Sequence, residues 1–194
     1  MVLGYIRILE GSIVMAWRSK RKVMHAYNVT AEIYDGRYSL EQHRKYRKAL
    51  ENVDVSGVNV LDVGCGSGLF FDEVTDKASM VVGVDVSKKL LIKATRRVAK
   101  NMHVLQADAD HLPFKDGAFQ AAFSFTVLQN LPKPQRTLQE IRRVTGKGCK
   151  IAITGLKKAF LQTAFHDLVE QSGMQTEVFY DVDEINCYIA VLSA

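Results

Sequence analysis

From Val58 onward, short apolar runs rich in β-branched residues alternate with segments whose apolar residues fall at helical spacing. The runs cover 58–63, 80–85, 102–106, 119–125 and 150–154, each bounded by Gly, Asp or Pro. Continuous apolar runs of that length are expected of parallel strands covered on both faces. Between them, Ser87 is placed to cap a helix carrying Leu90, Leu91, Ala94 and Val98 on one face. Pro134 suits the first turn of a helix with Leu138, Ile141 and Thr145 inward. Phe160, Leu161, Ala164, Phe165 and Leu168 mark another, stopped by Gly173. Ahead of the first run, Ser39-Leu40-Glu41-Gln42 reads as a capping box opening a helix through Leu50. The last two runs, 175–180 and 186–192, are joined by the short polar stretch at 181–184. So short a link permits only antiparallel pairing. The pattern thus predicts an α/β fold: a doubly wound, mostly parallel sheet of seven strands, closed by an antiparallel hairpin with one reversed strand. Residues 1–57 are expected to form a helical cover on the substrate side, and 58–194 the ligand-binding unit, in one compact body.

Length and composition narrow this little further. A chain of 194 residues suits one well-buried core, and 47% hydrophobic with 24% charged residues suggests neither disorder nor a disulfide scaffold. Cys65, Cys149 and Cys187 are odd in number and far apart, fitting neither zinc spacing nor a closed set of disulfides. A reducing cytosol is the expected setting. The apolar N-terminus is interrupted by Arg7 and Glu10 and lacks a small-residue cleavage pattern, so neither an export signal nor a membrane span is expected there. A docking segment, or a start at Met15 or Met24, accounts for it instead. The net charge of +5 is uneven: residues 1–58 hold ten Lys/Arg against six Asp/Glu, clustered at 18–22 and 44–48. Such clusters are solvated helix faces or contacts for an acidic partner such as RNA.

Candidate chemistry gathers behind the first run, where Asp62-Val63-Gly64-Cys65-Gly66-Ser67-Gly68 sets three glycines next to a carboxylate. In a doubly wound sheet the ligand lies at the carboxyl ends of the strands where their order reverses, and glycine lets backbone approach a ligand closely. Dinucleotide loops read G-x-G-x-x-G and seat a pyrophosphate on a helix N-terminus. Here the spacing is G-x-G-x-G, and Asp62 would repel a pyrophosphate. A ligand with a cationic amine and no phosphate fits better. Asp85 ends the second run, where an acidic group receives ribose hydroxyls in nucleoside-binding folds. Asp108, after the third run, is suited to accept a bond from an exocyclic adenine amine. An Asp at one strand end is often a turn former; three in succession point to a ligand.

These residues resemble the class I S-adenosylmethionine (SAM)-dependent methyltransferases, in particular the ubiquinone-type group. The likeness rests on Val60 to Gly68, Gly83 to Ser87, Ala107-Asp108-Ala109, Leu112-Pro113-Phe114, Phe119 to Asn130 and Glu140 to Val144. The resemblance implies SAM as cofactor, held by Asp62, Gly64, Cys65, Gly66 and Gly68 of the loop, with Asp85 and Val86 at the ribose. It places Asp108 and Ala109 at the adenine, Ser124, Phe125 and Gln129 around the methyl donor, and Tyr34, with Tyr38, as lid residues. Methyltransferases that act on planar amino nitrogens often carry Asn-Pro-Pro-Tyr after the fourth strand; Phe123 to Leu128 differ from it, which marks such acceptors down.

Methyl transfer from a sulfonium is an in-line displacement that needs alignment more than a catalytic apparatus. A base is needed only for a protonated nucleophile; His111, His25 and His43 are candidates, His103 and His166 less so, and all five are equally read as surface or capping histidines. Cys65 is explained by small size at a tight turn, and no His/Cys/carboxylate cluster has metal-ligand spacing. The sequence therefore predicts a cytoplasmic SAM-dependent methyltransferase acting on a small molecule. The alternatives are an RNA or translation-factor methyltransferase using the basic N-terminal segment, a non-catalytic SAM-binding partner subunit, and, last, an NAD-dependent dehydrogenase. No membrane or DNA partner is expected.

Overall fold

The computed structural model describes residues 17–194, apart from the side chains of Tyr34 and Arg37. Its centre is one seven-stranded sheet built from β1 (Asn59–Val63), β2 (Met80–Asp85), β3 (Met102–Gln106), β4 (Phe119–Ser124), β5 (Thr145–Leu156), β6 (Gln175–Asp181) and β7 (Cys187–Ser193). The spatial order is β3-β2-β1-β4-β5-β7-β6. β1 to β5 run parallel, and β7 is antiparallel to both neighbours, β5 and β6. The expected sheet, its terminal hairpin and its one reversed strand are all present. Strand order reverses between β1 and β4, which opens a crevice at their carboxyl ends.

The period of two sorts each strand's side chains between two cores. Val60, Val81, Ala121, Phe123, Ile189 and Val191 point to one face, where Tyr46, Ala49, Phe70, Phe71, Val74, Leu91 and Ala94 cover them. Leu61, Val63, Val82, Val84, Ile151 and Ile153 point to the other, beneath Leu138, Ile141, Val144, Phe165 and Leu168. The first cover comes from α2 (Tyr34–Leu50), α3 (Phe71–Val74) and α4 (Lys88–Ala94); the second from α5 (Pro134–Val144) and α6 (Gln162–Glu170). Ahead of them, the described part of α1 covers 17–30.

Local chemistry sets most helix ends as expected. Ser87 is extended and its hydroxyl accepts the Leu90 N–H, opening α4, and Pro134 opens α5. Four boundaries differ, one of them the start of α6, which begins at Gln162 and leaves Leu161 before it and exposed. Ser39 caps nothing, because α2 already begins at Tyr34; the Asp35 carboxylate is tied to Ser67 and Arg97, so tertiary contacts hold the upstream turn in the helix. α4 stops at Ala94 and leaves Val98 exposed. Thr145 ends α5 and starts β5, its hydroxyl bonded to the Ile141 carbonyl.

Candidate functional site

The loop after β1 is drawn against the end of β2 by main-chain bonds, the Gly64 and Cys65 N–H groups both donating to the Val84 carbonyl at 2.8 and 3.0 Å. Gly64 has a φ of +80°, and a Cβ there would lie 2.2 Å from a methyl of Val127. Only bare backbone fits between the loop and the β4 exit. Across the same space Asp85 accepts the Gly66 N–H at 2.9 Å and the Ser87 N–H at 2.7 Å, which fixes its carboxylate at the tip of β2.

These elements surround a cavity that is partly open to solvent. Gly64 and Gly66 form its floor; Asp85, Val86, Asp108 and Ala109 line one side, and Phe125, Thr126 and Val127 the other. α1 supplies Lys20, Val23 and Tyr27. Thus Gly64, Gly66, Asp85, Val86, Asp108, Ala109 and Phe125, singled out from the sequence, meet around one cavity. Asp62, Cys65, Gly68, Ser124 and Gln129 lie outside it, and the side chain of Tyr34 is outside the described residues.

The electrostatics are those of a buried acidic site. Burial, and then repulsion by Asp85, pushes the Asp62 carboxyl up to about 8. Burial also raises Asp85, although the N–H groups of Ser87 and Gly66 pull the other way. The Cys65 thiol is pushed up by burial and by both carboxylates, so it is a neutral, inert group. His25, His43 and His111 all lie off the cavity wall: His43 is paired with Glu73 at 2.7 Å, and His111 is exposed beside Arg136.

The exit of β4 is unusual. Thr126 has a φ of +63°, costly for a β-branched residue. Four side chains hold it there. Its N–H donates to the Thr154 hydroxyl, its hydroxyl accepts from Lys45 at 2.7 Å, and its carbonyl accepts from Gln129 and Asn130. Lys45 is fully buried and also paired with Glu41.

Sequence reasoning missed Lys20, Val23, Tyr27, Thr126 and Asn130. The first three stand at i, i+3 and i+7, one face of a helix, and that spacing was the available signal. No periodicity marks Thr126 or Asn130.

The fold is a Rossmann-like doubly wound sheet with a cavity of acidic character at its strand-order reversal. Residues 61–153 match the family described as "Methyltransferase domain". The chain is 30% identical over 144 residues to a malonyl-[acyl-carrier protein] O-methyltransferase from Hamiltonella defensa, covering 74% of this chain and 55% of that protein. It is 31% identical over 149 residues to a demethylmenaquinone methyltransferase from Shouchella clausii, covering 71% and 63%. It therefore spans between about half and two thirds of the length of these relatives. A SAM-dependent methyltransferase from Aquifex aeolicus superposes with a TM-score of 0.76 at 20% identity, over 85% of this chain and 97% of that one. Residues 61–153 thus resemble a methyltransferase domain, and SAM is the cofactor implied by that likeness and by the fold.

The residues present fit that cofactor. The charged groups on the cavity wall are Asp85, Asp108 and Lys20, and the Lys20 ammonium is bound to Asp108 and Asp110. Among the described wall residues no cation remains for a pyrophosphate, whereas a phosphate-free cation finds carboxylates and glycine backbone. Among the described residues no helix is long and apolar enough to cross a membrane.

Proposed function

We propose that this protein transfers a methyl group from SAM to a small-molecule acceptor. The observation that carries the reading is the cavity itself: bare backbone at Gly64 and Gly66 beside two carboxylates, Asp85 and Asp108, with Lys20, the lysine among its described wall residues, already paired. In this reading Asp85 accepts the ribose hydroxyls, Asp108 and Ala109 border the adenine, and the backbone of the glycine loop lies against the rest of the nucleoside and amino acid. Bound SAM supplies a methyl on a sulfonium, already an excellent leaving group. The protein's part is alignment and exclusion of water. Phe125, Thr126 and Val127, at the exit of β4, form the acceptor side, and the braced backbone of Thr126 gives that side a fixed shape. The relatives are named for chemically different acceptors, malonyl-[acyl-carrier protein] and demethylmenaquinone, which supports a shared donor site with a variable acceptor side.

Calorimetry with SAM and with NAD tests the cofactor, with heat expected from SAM alone. Asp85→Ala should weaken SAM binding by ~10-fold or more, the value of hydrogen bonds to a charged acceptor; unchanged affinity would remove Asp85 from the ribose. Labelled methyl transfer into a cell extract, fractionated into metabolites, RNA and protein, identifies the acceptor class. One observation favours a second reading, an RNA acceptor: Arg18, Arg21 and Lys22 are all exposed on α1. RNA binding would then fall steeply with salt.

A further inference from the structure

Lys20 is held in an uncommon way for a lysine. Its side chain is 9% exposed, and its ammonium meets Asp108 Oδ1 at 2.7 Å, Asp108 Oδ2 at 2.8 Å and Asp110 Oδ2 at 2.5 Å. An ammonium has three N–H groups, so all three are engaged and none is left for a ligand. Burying and immobilising a lysine is unfavourable unless the geometry of its partners compensates. Here the partners are themselves anchored: the second oxygen of Asp110 accepts the Thr137 hydroxyl of α5, and Asp108 Oδ1 also accepts the Asp110 N–H at 3.0 Å. Two neighbouring carboxylates are thereby fixed relative to α5 and to α1, across 88 residues of sequence.

Asp108 keeps acceptor capacity at the cavity wall. A carboxylate offers about four lone-pair sites; two contacts reach Oδ1, but only the Lys20 bond reaches Oδ2 among the described hydrogen bonds. An acceptor held rigid in this way complements a donor and rejects another acceptor. We infer that Lys20 is a positioning residue of the nucleoside site: it locks the Asp108 carboxylate as an acceptor, so that the cover helix α1 sets the selectivity for a 6-amino purine over a 6-oxo purine. This inference rests on the methyl-donor reading of the cavity. Removing Lys20 would leave Asp108 and Asp110 to repel each other, with the Asp108 carboxylate free to turn.

The experiment compares two ligands that differ at one group, S-adenosylhomocysteine and S-inosylhomocysteine, in which a carbonyl oxygen replaces the exocyclic amine. Their affinities are measured by calorimetry for wild type, Lys20→Met and Lys20→Arg. Wild type is expected to favour the adenosyl ligand ~10-fold or more. Lys20→Met should bring that ratio close to one, and Lys20→Arg should restore part of it. Equal weakening of both ligands in Lys20→Met, with the ratio kept, would overturn the inference and leave Lys20 as a fastening for α1. A wild-type ratio near one would also overturn it, while leaving the methyl-donor reading intact. Failure of wild type to bind S-adenosylhomocysteine at all would remove that reading and this inference together. Because Lys20→Arg keeps the charge, it separates loss of positioning from loss of fold.

Discussion

Helix α2 and the exit of strand β4 touch through Tyr46 and Phe125, ring centres 4.7 Å apart, but the structure on the two sides of that contact is stabilised by different forces. On the sheet side, Phe70 packs against Phe123 at 4.5 Å and Phe125 at 5.2 Å, within a core of Val60, Val81, Ala121 and Val191. On the cover side, half of the described buried residues before position 51 are polar: Lys20, Gln42 and Lys45 beside Ala31, Tyr46 and Ala49. The cover is fastened by Lys20 to Asp108 and Asp110, Asn28 to Ser87, Asp35 to Ser67 and Arg97, and Lys45 to Thr126. Apolar burial is non-directional and is not screened by salt, whereas ion pairs are directional and screened. The sheet can therefore persist as a platform while the cover is adjusted charge by charge.

Three measurements test how sharp that division is. Phe123→Ala removes a fully buried ring from the sheet side and should cost ~3–5 kcal/mol in urea unfolding; a loss below ~1 kcal/mol would mean that the sheet side is no better packed than the cover. Next comes Asp62, a polar group on the apolar side. Its carboxyl lies at about 8 in the folded protein against an ordinary 3.8. Between those values the folded state holds a proton that the unfolded chain has released, so stability falls as pH rises through the window. The slope amounts to about 3 kcal/mol between pH 5 and 7. Asp62→Asn, neutral in both states, should flatten the profile, and an unchanged profile would mean that Asp62 is not its source. The smallest effect belongs to the cover. The Asp35 carboxyl, though pushed up by burial, ends below its ordinary value because of the Ser67 hydroxyl and Arg97. Being partly exposed, it should cost less than ~1 kcal/mol when replaced by Ala. That loss should shrink in high salt, and a larger, salt-independent loss would show the cover to be held as the sheet is.

How far the sequence could be read follows the same division. β1 and β2 are apolar enough on both faces, and β3 well enough bounded, that their runs could be placed to within a residue, and Ser87 marked α4 because its cap is a local interaction. The glycine loop was legible because its spacing answers to backbone geometry. The start of α2 at Tyr34 was not, since it depends on Asp35 reaching Ser67, 32 residues away. Nor were Lys20 and Thr126, whose roles arise from ion pairs and hydrogen bonds between distant segments. Asp108 shows the limit well: the sequence marks it as an acceptor but does not show that Lys20 occupies both of its oxygens.

The reversed strand bears on how the molecule can be made. β7 lies between β5 and β6, although it is the last of the seven to leave the ribosome. Until it does, β5 presents an open edge, and β6, which pairs with β7, has no strand to join. Exposed edges of that kind invite association between nascent chains. The sheet is thus finished by insertion of a middle strand, so synthesis that pauses before Cys187 would leave an adhesive half-product rather than a smaller working protein.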